Sequence, residues 1–279
     1  AAGIDMAVLS TGAFTPNGFE FCQVCNDGYA EAVRQHPKRY VGMIHVCPLD
    51  DPQRNRDEIK RCVEELGLSG LALVSSYGGT SVDSRLLDPL YESALAYDMP
   101  VFVHPTIRTD LWGGERYNMF ATVSREYDLV KSFVEIFYGV LPRYPGLKVI
   151  MAHFGGGLTA LKGRLLAWHQ PENIPIPEMS RRRGLAVEEA KELGLYQDFE
   201  ARLANCLFDS AGFGGWLPII NSSFEALGPD HICFATDYPY ELEKVPHVRK
   251  VLSDIERLGA SAEEKKKFFG ENVKKAFRL

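Results

Sequence analysis

Val149-Ile150-Met151-Ala152-His153-Phe154-Gly155-Gly156-Gly157 is the stretch whose reading decides the fold. An apolar run ends in a histidine, and three glycines follow. The run predicts a short buried strand, and the glycines predict a tight strand-to-helix turn. The histidine then stands at the carboxyl end of its strand, with its imidazole at the rim of a sheet or barrel. Two further stretches share the pattern: Pro100-Val101-Phe102-Val103-His104-Pro105 and Ile232-Cys233-Phe234-Ala235-Thr236-Asp237-Tyr238-Pro239. Each is an apolar strand closed by a side chain able to bind metal, and then by a chain breaker.

Outward from these stretches, strand and helix alternate along nearly the whole chain. Strands are expected at residues 4–10, 40–46, 70–74, 101–104, 148–153, 206–209 and 232–236. Helical spacing of apolar residues fills 19–35, 51–66, 83–97, 126–141, 158–168 and 216–227, and two more helices close the chain. Such alternation means parallel strands joined by right-handed crossovers. The expected fold is α/β, a distorted (β/α)8 TIM-type barrel with seven of its eight strands in this chain. The remaining strand is expected to precede Ala1. The alternative is an open, doubly wound sheet. One domain is expected over 1–279, with an insertion at about 170–200 that carries three prolines and Arg181-Arg182-Arg183.

The bulk numbers narrow the function classes. The chain has 279 residues, 46% of them hydrophobic, and a net charge of −6. That balance argues against a nucleic-acid-binding surface. No apolar run approaches the roughly 18 residues of a membrane span, and no secretory signal is visible. Six scattered cysteines fit buried free thiols and a cytoplasmic location. Cys22 and Cys25 form a C-x-x-C inside a helical pattern, which reads as core packing. There is no Gly-x-Ser-x-Gly elbow and no phosphate-binding loop.

In a barrel, catalytic side chains gather at the carboxyl ends of several strands. His104, His153, Asp209 and Asp237 all fall at such ends. Two imidazoles and two carboxylates on one rim suit a divalent cation, zinc first and manganese second. His104 and Asp237 are read as ligands. His153 is read as a general acid/base, with a ligand role as the alternative. The glycines after it permit two readings, a turn that only glycine can make and an anion site at a helix start. His45, within the second strand, is a lesser candidate for the rim.

These residues resemble the amidohydrolase superfamily, and within it the metal-dependent decarboxylase branch typified by aminocarboxymuconate-semialdehyde and γ-resorcylate decarboxylases. The resemblance is carried by Gly3 to Ser10, by His36-Pro37-Lys38-Arg39-Tyr40-Val41-Gly42, and by Phe102 to Pro105. It continues through Ala152 to Gly157, Ala235 to Pro239, and Gly270-Glu271-Asn272-Val273. It implies the distorted barrel, His104 and Asp237 as metal ligands, and His153 as the catalytic histidine beside the metal. It also implies that a cation after the glycine turn, Arg164 before Lys162, reaches a neighbouring subunit's site to bind a carboxylate. The family's first strand carries a His-x-His or Glu-x-His pair of ligands, and this sequence contains no such pair.

The expected activity is non-oxidative decarboxylation of an aromatic or unsaturated carboxylic acid. Asp237 or His153, or a metal-bound water, would supply the proton. Arg164, with Arg108 or Arg116, would fix a carboxylate, and Trp112, Tyr117 and Phe154 would stack on a planar ring. The alternatives are a metal-dependent hydrolase or hydratase of a lactone or carboxylated enol, and a metal-free binding or scaffold subunit. The expected partners are a small-molecule carboxylate substrate and a second copy of the chain, as a homodimer or higher homo-oligomer, with no nucleic acid and no membrane.

Overall fold

The computed structural model describes residues 2–11, 17–169 and 199–279. The expected insertion, with Arg181 to Arg183, lies outside the described residues apart from its last two positions. The elements that build the frame are β1 (Ala7–Leu9), α1 (Phe19–Gln35), β2 (Tyr40–Gly42), β3 (Ile44–His45), α2 (Pro52–Glu64), β4 (Leu71–Val74), β5 (Ser76–Tyr77) and β6 (Thr80–Ser81). They continue with α3 (Asp88–Ala96), β7 (Val101–His104), α4 (Arg125–Glu135), β8 (Val149–Met151) and α5 (His153–His169). The chain ends with α6 (Phe199–Leu203), β9 (Cys206–Asp209), α7 (Leu217–Ala226), β10 (Ile232–Cys233), α8 (Val245–Glu256), α9 (Ala262–Lys266) and α10 (Asn272–Phe277).

The six-stranded sheet runs β10-β9-β8-β7-β4-β3, every pair parallel. β2 and β3 are two pieces of one strand broken at Met43, and β1 lies parallel to β2. Across the break the Met43 amide still donates to the Leu9 carbonyl, at 3.0 Å. Each new strand therefore takes its place beside the one before it, always on the same side. A doubly wound sheet reverses direction at a switch point, and no reversal occurs among the described strands. β1 and β10, the outer strands, are not paired with each other among the described residues. The hairpin β5–β6, which the sequence reading did not predict, projects from the end of β4.

Two apolar layers hold this frame. β4 is buried at every position, as expected of a parallel strand covered on both faces. Between strands and helices lie Leu71, Leu73, Val101, Val103, Val149, Met151, Phe208 and their helical partners. A second cluster lies on the other face of the strands: Val41, Met43, Ala72 and Ile150, with Phe102 and Leu207 against them. Ala276 and Phe277 of α10 complete it. Because side chains alternate along a strand, Phe102 and His104 share this inner face, their rings 6.3 Å apart. Phe277 closes the amino-terminal end, where a Cβ on Gly70 would lie 2.8 Å from its ring. Local chemistry matches the elements: Asp51 caps α2 by accepting from the amides of Gln53 and Arg54, with Pro52 in the first turn.

Candidate metal centre

At the carboxyl ends of β7, β8 and β10, three side chains converge. One ligand atom from each of His104, His153 and Asp237 falls within 4.8 Å of the others. His104 Nε2 is 3.8 Å from one carboxylate oxygen of Asp237, and His153 Nε2 is 3.9 Å from the other. Both distances are too long for hydrogen bonds. Two donors each about 2.1 Å from one ion are at most about 4.2 Å apart, so both spacings suit a shared cation.

The side chains are held so that their lone pairs face inward. His104 Nδ1 is 2.9 Å from the Pro105 carbonyl, which can only accept. The proton is thereby assigned to Nδ1, and Nε2 keeps its lone pair. His153 Nδ1 is 2.8 Å from Glu126 Oε1, which makes the same assignment for that ring. His153 Nε2 is buried and has no hydrogen-bond partner. Two nitrogens and a carboxylate with an orphaned buried lone pair among them fit a divalent cation.

The ground under His153 explains the sequence pattern. Residues 153–157 all have positive φ, from 49° to 78°, a left-handed turn that opens α5. Glycine makes such a turn at no steric cost. Gly156 is further constrained, since a Cβ there would lie 2.2 Å from the Glu126 carbonyl oxygen. The glycines thus act by the turn reading, and they admit the start of α4 close enough for Glu126 to meet His153. Gly212 presses on the opposite side, where a Cβ would lie 2.2 Å from His153 Cγ. Glu241 fixes that loop by accepting from the amides of Gly212 and Gly214. Asp237 also has positive φ, 47°. Left-handed backbone at a non-glycine is costly and concentrates at functional sites.

Asp209 belongs to the support and not to the converging set. Its Oδ1 accepts from the backbone amides of His153 at 2.9 Å and Ala211 at 3.0 Å. Asp128, buried on α4, accepts from Ser75 Oγ at 2.6 Å and Ser76 Oγ at 2.8 Å. Ser75 Oγ in turn accepts from the Thr106 amide, and the Ser75 amide donates to the His104 carbonyl. This chain of bonds ties α4, β4 and the loop after His104 together.

Charge is distributed unevenly among these groups. Burial opposes a proton on His153, but the Glu126 carboxylate, with Asp209 and Asp237, outweighs it and raises the imidazole's pKa. Burial also works against ionised Asp237, yet His104, His153 and Arg125 hold its carboxyl below the ordinary range. Burial pushes Asp209 upward.

Other expected residues fall elsewhere. Phe154, expected to stack on a ring, is fully buried; the left-handed turn carries its ring into the core, 6.3 Å from Phe213. Arg108 is bound bidentately to Asp110, and Arg116 stacks on Tyr117. Arg164 is exposed on α5. Trp112 is exposed and meets Tyr127 edge to face at 5.1 Å. Two residues escaped the sequence reading: Glu126 and its neighbour Arg125, whose Nε lies 3.2 Å from Glu126 Oε1. As charged residues opening a helix they carry no signal of their own.

Comparison with known proteins identifies the family. The amidohydrolase family profile matches residues 12–279. A γ-resorcylate decarboxylase of Polaromonas is 27% identical over 278 residues, covering 93% of this chain and 77% of that protein. A 2-amino-3-carboxymuconate-6-semialdehyde decarboxylase of Dictyostelium discoideum is 31% identical over 173 residues, 58% of this chain and 47% of the relative's length. Among solved structures, a 5-carboxyvanillate decarboxylase of Novosphingobium aromaticivorans superimposes with a TM-score of 0.79 at 26% identity, covering 100% of this chain and 78% of that one. That structure holds manganese and 4-hydroxy-3-methoxy-5-nitrobenzoic acid. The frame of sequentially ordered parallel strands is therefore that of the (β/α)8 barrel, and the chain belongs to the amidohydrolase family.

Proposed function

We propose that the chain is a metal-dependent, non-oxidative carboxy-lyase acting on a hydroxylated aromatic or unsaturated carboxylic acid. The observation that carries this is the convergence of His104, His153 and Asp237 at three strand ends, in a family whose relatives include decarboxylases of such acids. His104 and Asp237 would hold the ion, with manganese, the metal in the related structures, preferred to zinc. A divalent cation there supplies charge that polarises the substrate's oxygens.

The protein's own groups do the proton chemistry. His153 either completes the donor set or stays off the ion as the acid. Glu126 favours the second role, because a carboxylate on Nδ1 supports the imidazolium. The protonated ring gives its Nε2 proton to the carbon that bears the carboxylate. The carbon–carbon bond then breaks, its electron pair returns to the ring, and carbon dioxide leaves. Asp237 faces the same space and is the second candidate donor. Gly212 and the Asp209 bond to the His153 amide hold the imidazole in place, which keeps the donor positioned without reorganisation. Trp112 and Tyr127 supply aromatic faces near the start of α4, and Arg164, exposed on α5, is free to serve a second copy of the chain in a homo-oligomer. None of the six cysteines forms a disulfide among the described residues, which suits a reducing, cytoplasmic setting, and no described helix is long and apolar enough to cross a membrane.

A second reading is hydration of a carboxylated enol on the same residues. It is favoured by one relative, a 2-keto-4-carboxy-3-hexenedioate hydratase of Sphingobium, 28% identical over 181 residues. The two readings separate on product. Manganese-loaded protein incubated with 2,6-dihydroxybenzoate, 5-carboxyvanillate and unsaturated tricarboxylates should release carbon dioxide from at least one ring acid. Water addition without carbon dioxide release would establish the hydratase instead.

A further inference from the structure

The guanidinium of Arg125 is placed against the site and its binding capacity is mostly unspent. Nε donates to Glu126 Oε1 at 3.2 Å, the same oxygen that accepts from His153 Nδ1 at 2.8 Å. Neither terminal nitrogen has a hydrogen-bond or ion-pair partner among the described residues. The side chain is only 16% exposed. A guanidinium carries five donors in a planar fork that matches a carboxylate. The terminal nitrogens are not among the buried atoms of the site, so a ligand can reach them from solvent.

Arg108, Arg116 and Lys162 differ from it in being engaged by protein groups among the described residues. Arg108 is bound to Asp110 through two nitrogens. Arg116 stacks on Tyr117 and donates to its hydroxyl. Lys162 is bound to Glu200 and to the Ala226 carbonyl. Arg125 also contributes to the field that keeps Asp237 ionised, so it lies within electrostatic reach of the converging donors.

We infer that Arg125 is an anion-binding residue of this site, and that its fork takes a second acidic substituent on the ring. The inference rests on the carboxy-lyase reading and narrows its substrate class to aromatic acids with two anionic groups. One is the carboxylate that is lost, beside His153. The other is retained, on Arg125. Glu126 then serves two ends at once, holding His153 through Nδ1 and Arg125 through Nε, so the retained group and the proton donor share one anchor.

The test uses two compounds found in related structures, 4-hydroxy-3-methoxy-5-nitrobenzoate, which carries a carboxylate, and 2-nitroresorcinol, which does not. Their binding to manganese-loaded full-length protein is measured by calorimetry for wild type, R125K and R125Q. Wild type should prefer the carboxylate compound. R125Q should lose about 10- to 100-fold in affinity for it, as expected for a charge-assisted, forked pair, while 2-nitroresorcinol binds as before. R125K, which keeps charge but not the fork, should fall between. Equal weakening of both compounds would make Arg125 only a support for Glu126, and no weakening would leave it without a role; either result overturns the inference while the carboxy-lyase reading stands. If wild type binds neither compound, the ring-acid reading itself falls and the inference with it.

Discussion

His45 and His153 are both buried histidines in apolar parallel strands or at their carboxyl ends, and each has one ring nitrogen without a partner. Their surroundings set them apart. His45 Nε2 accepts the Thr11 amide at 3.0 Å, and Asn26 bonds both its backbone amide and its carbonyl. No carboxylate faces its ring among the described residues, and burial pushes its pKa down to about 4. His153 has Glu126 on Nδ1 and leaves Nε2 open towards His104 and Asp237, so its pKa is raised despite equal burial. Burial alone makes a neutral, structural histidine. A carboxylate placed behind the ring makes one that can hold and deliver a proton.

The sharpest way to break this contrast is to replace each ring. H153N should lower turnover by about 10³-fold, within the range of lost general acid catalysis, while manganese content stays near that of wild type. Loss of metal in step with activity would make His153 a ligand instead. H45Q should leave turnover within a few-fold of wild type.

The two rings should also respond to acid with opposite sign. The His45 pKa lies below its unfolded value of about 6.5, so the unfolded chain binds the extra proton. Its stability contribution is complete above that pH and is lost as pH falls towards about 4, by about 3 kcal/mol. The raised pKa of His153 works in the other direction: its contribution is present below its unfolded pKa and is lost as pH rises through the folded value. Urea unfolding at pH 7 and pH 4.5 should show a shallower loss in H45Q than in wild type. An unchanged loss would mean that His45 is not the titrating group.

A smaller loss of turnover than that of H153N belongs to the anchor. E126Q should cost about 10- to 100-fold in turnover, as is typical for a partner that orients a working imidazole. In metal-free protein the His153 resonance should titrate at lower pH than in wild type, because the neutral amide no longer supports the imidazolium. A titration at the wild-type pH would show that Glu126 orients the ring without tuning it.

This contrast also shows how far the sequence could be read. His104, His153 and Asp237 were legible because each ends an apolar strand before a breaker, and period-two alternation puts His104 on the inner face. The barrel order was not legible, since alternation of strand and helix also fits a doubly wound sheet; only the strand neighbours separate them. Glu126 and Arg125 were hidden for a physical reason. They look like solvated charges at the start of a helix, and they reach the site only because Gly156 lets α4 approach so closely. Phe154 was misread because the same left-handed turn rotates its ring into the core.

If His104 and Asp237 hold a divalent cation beside His153, the protein should need both to retain it. The direct measurement is elemental analysis of full-length protein after manganese loading and desalting, in wild type and in the H104A/D237A double variant. Wild type should retain about one equivalent per chain and the double variant less than about a tenth, because a site stripped of two of its converging donors keeps no adequate set. A full equivalent retained by the double variant, or less than about a tenth in wild type, would contradict it.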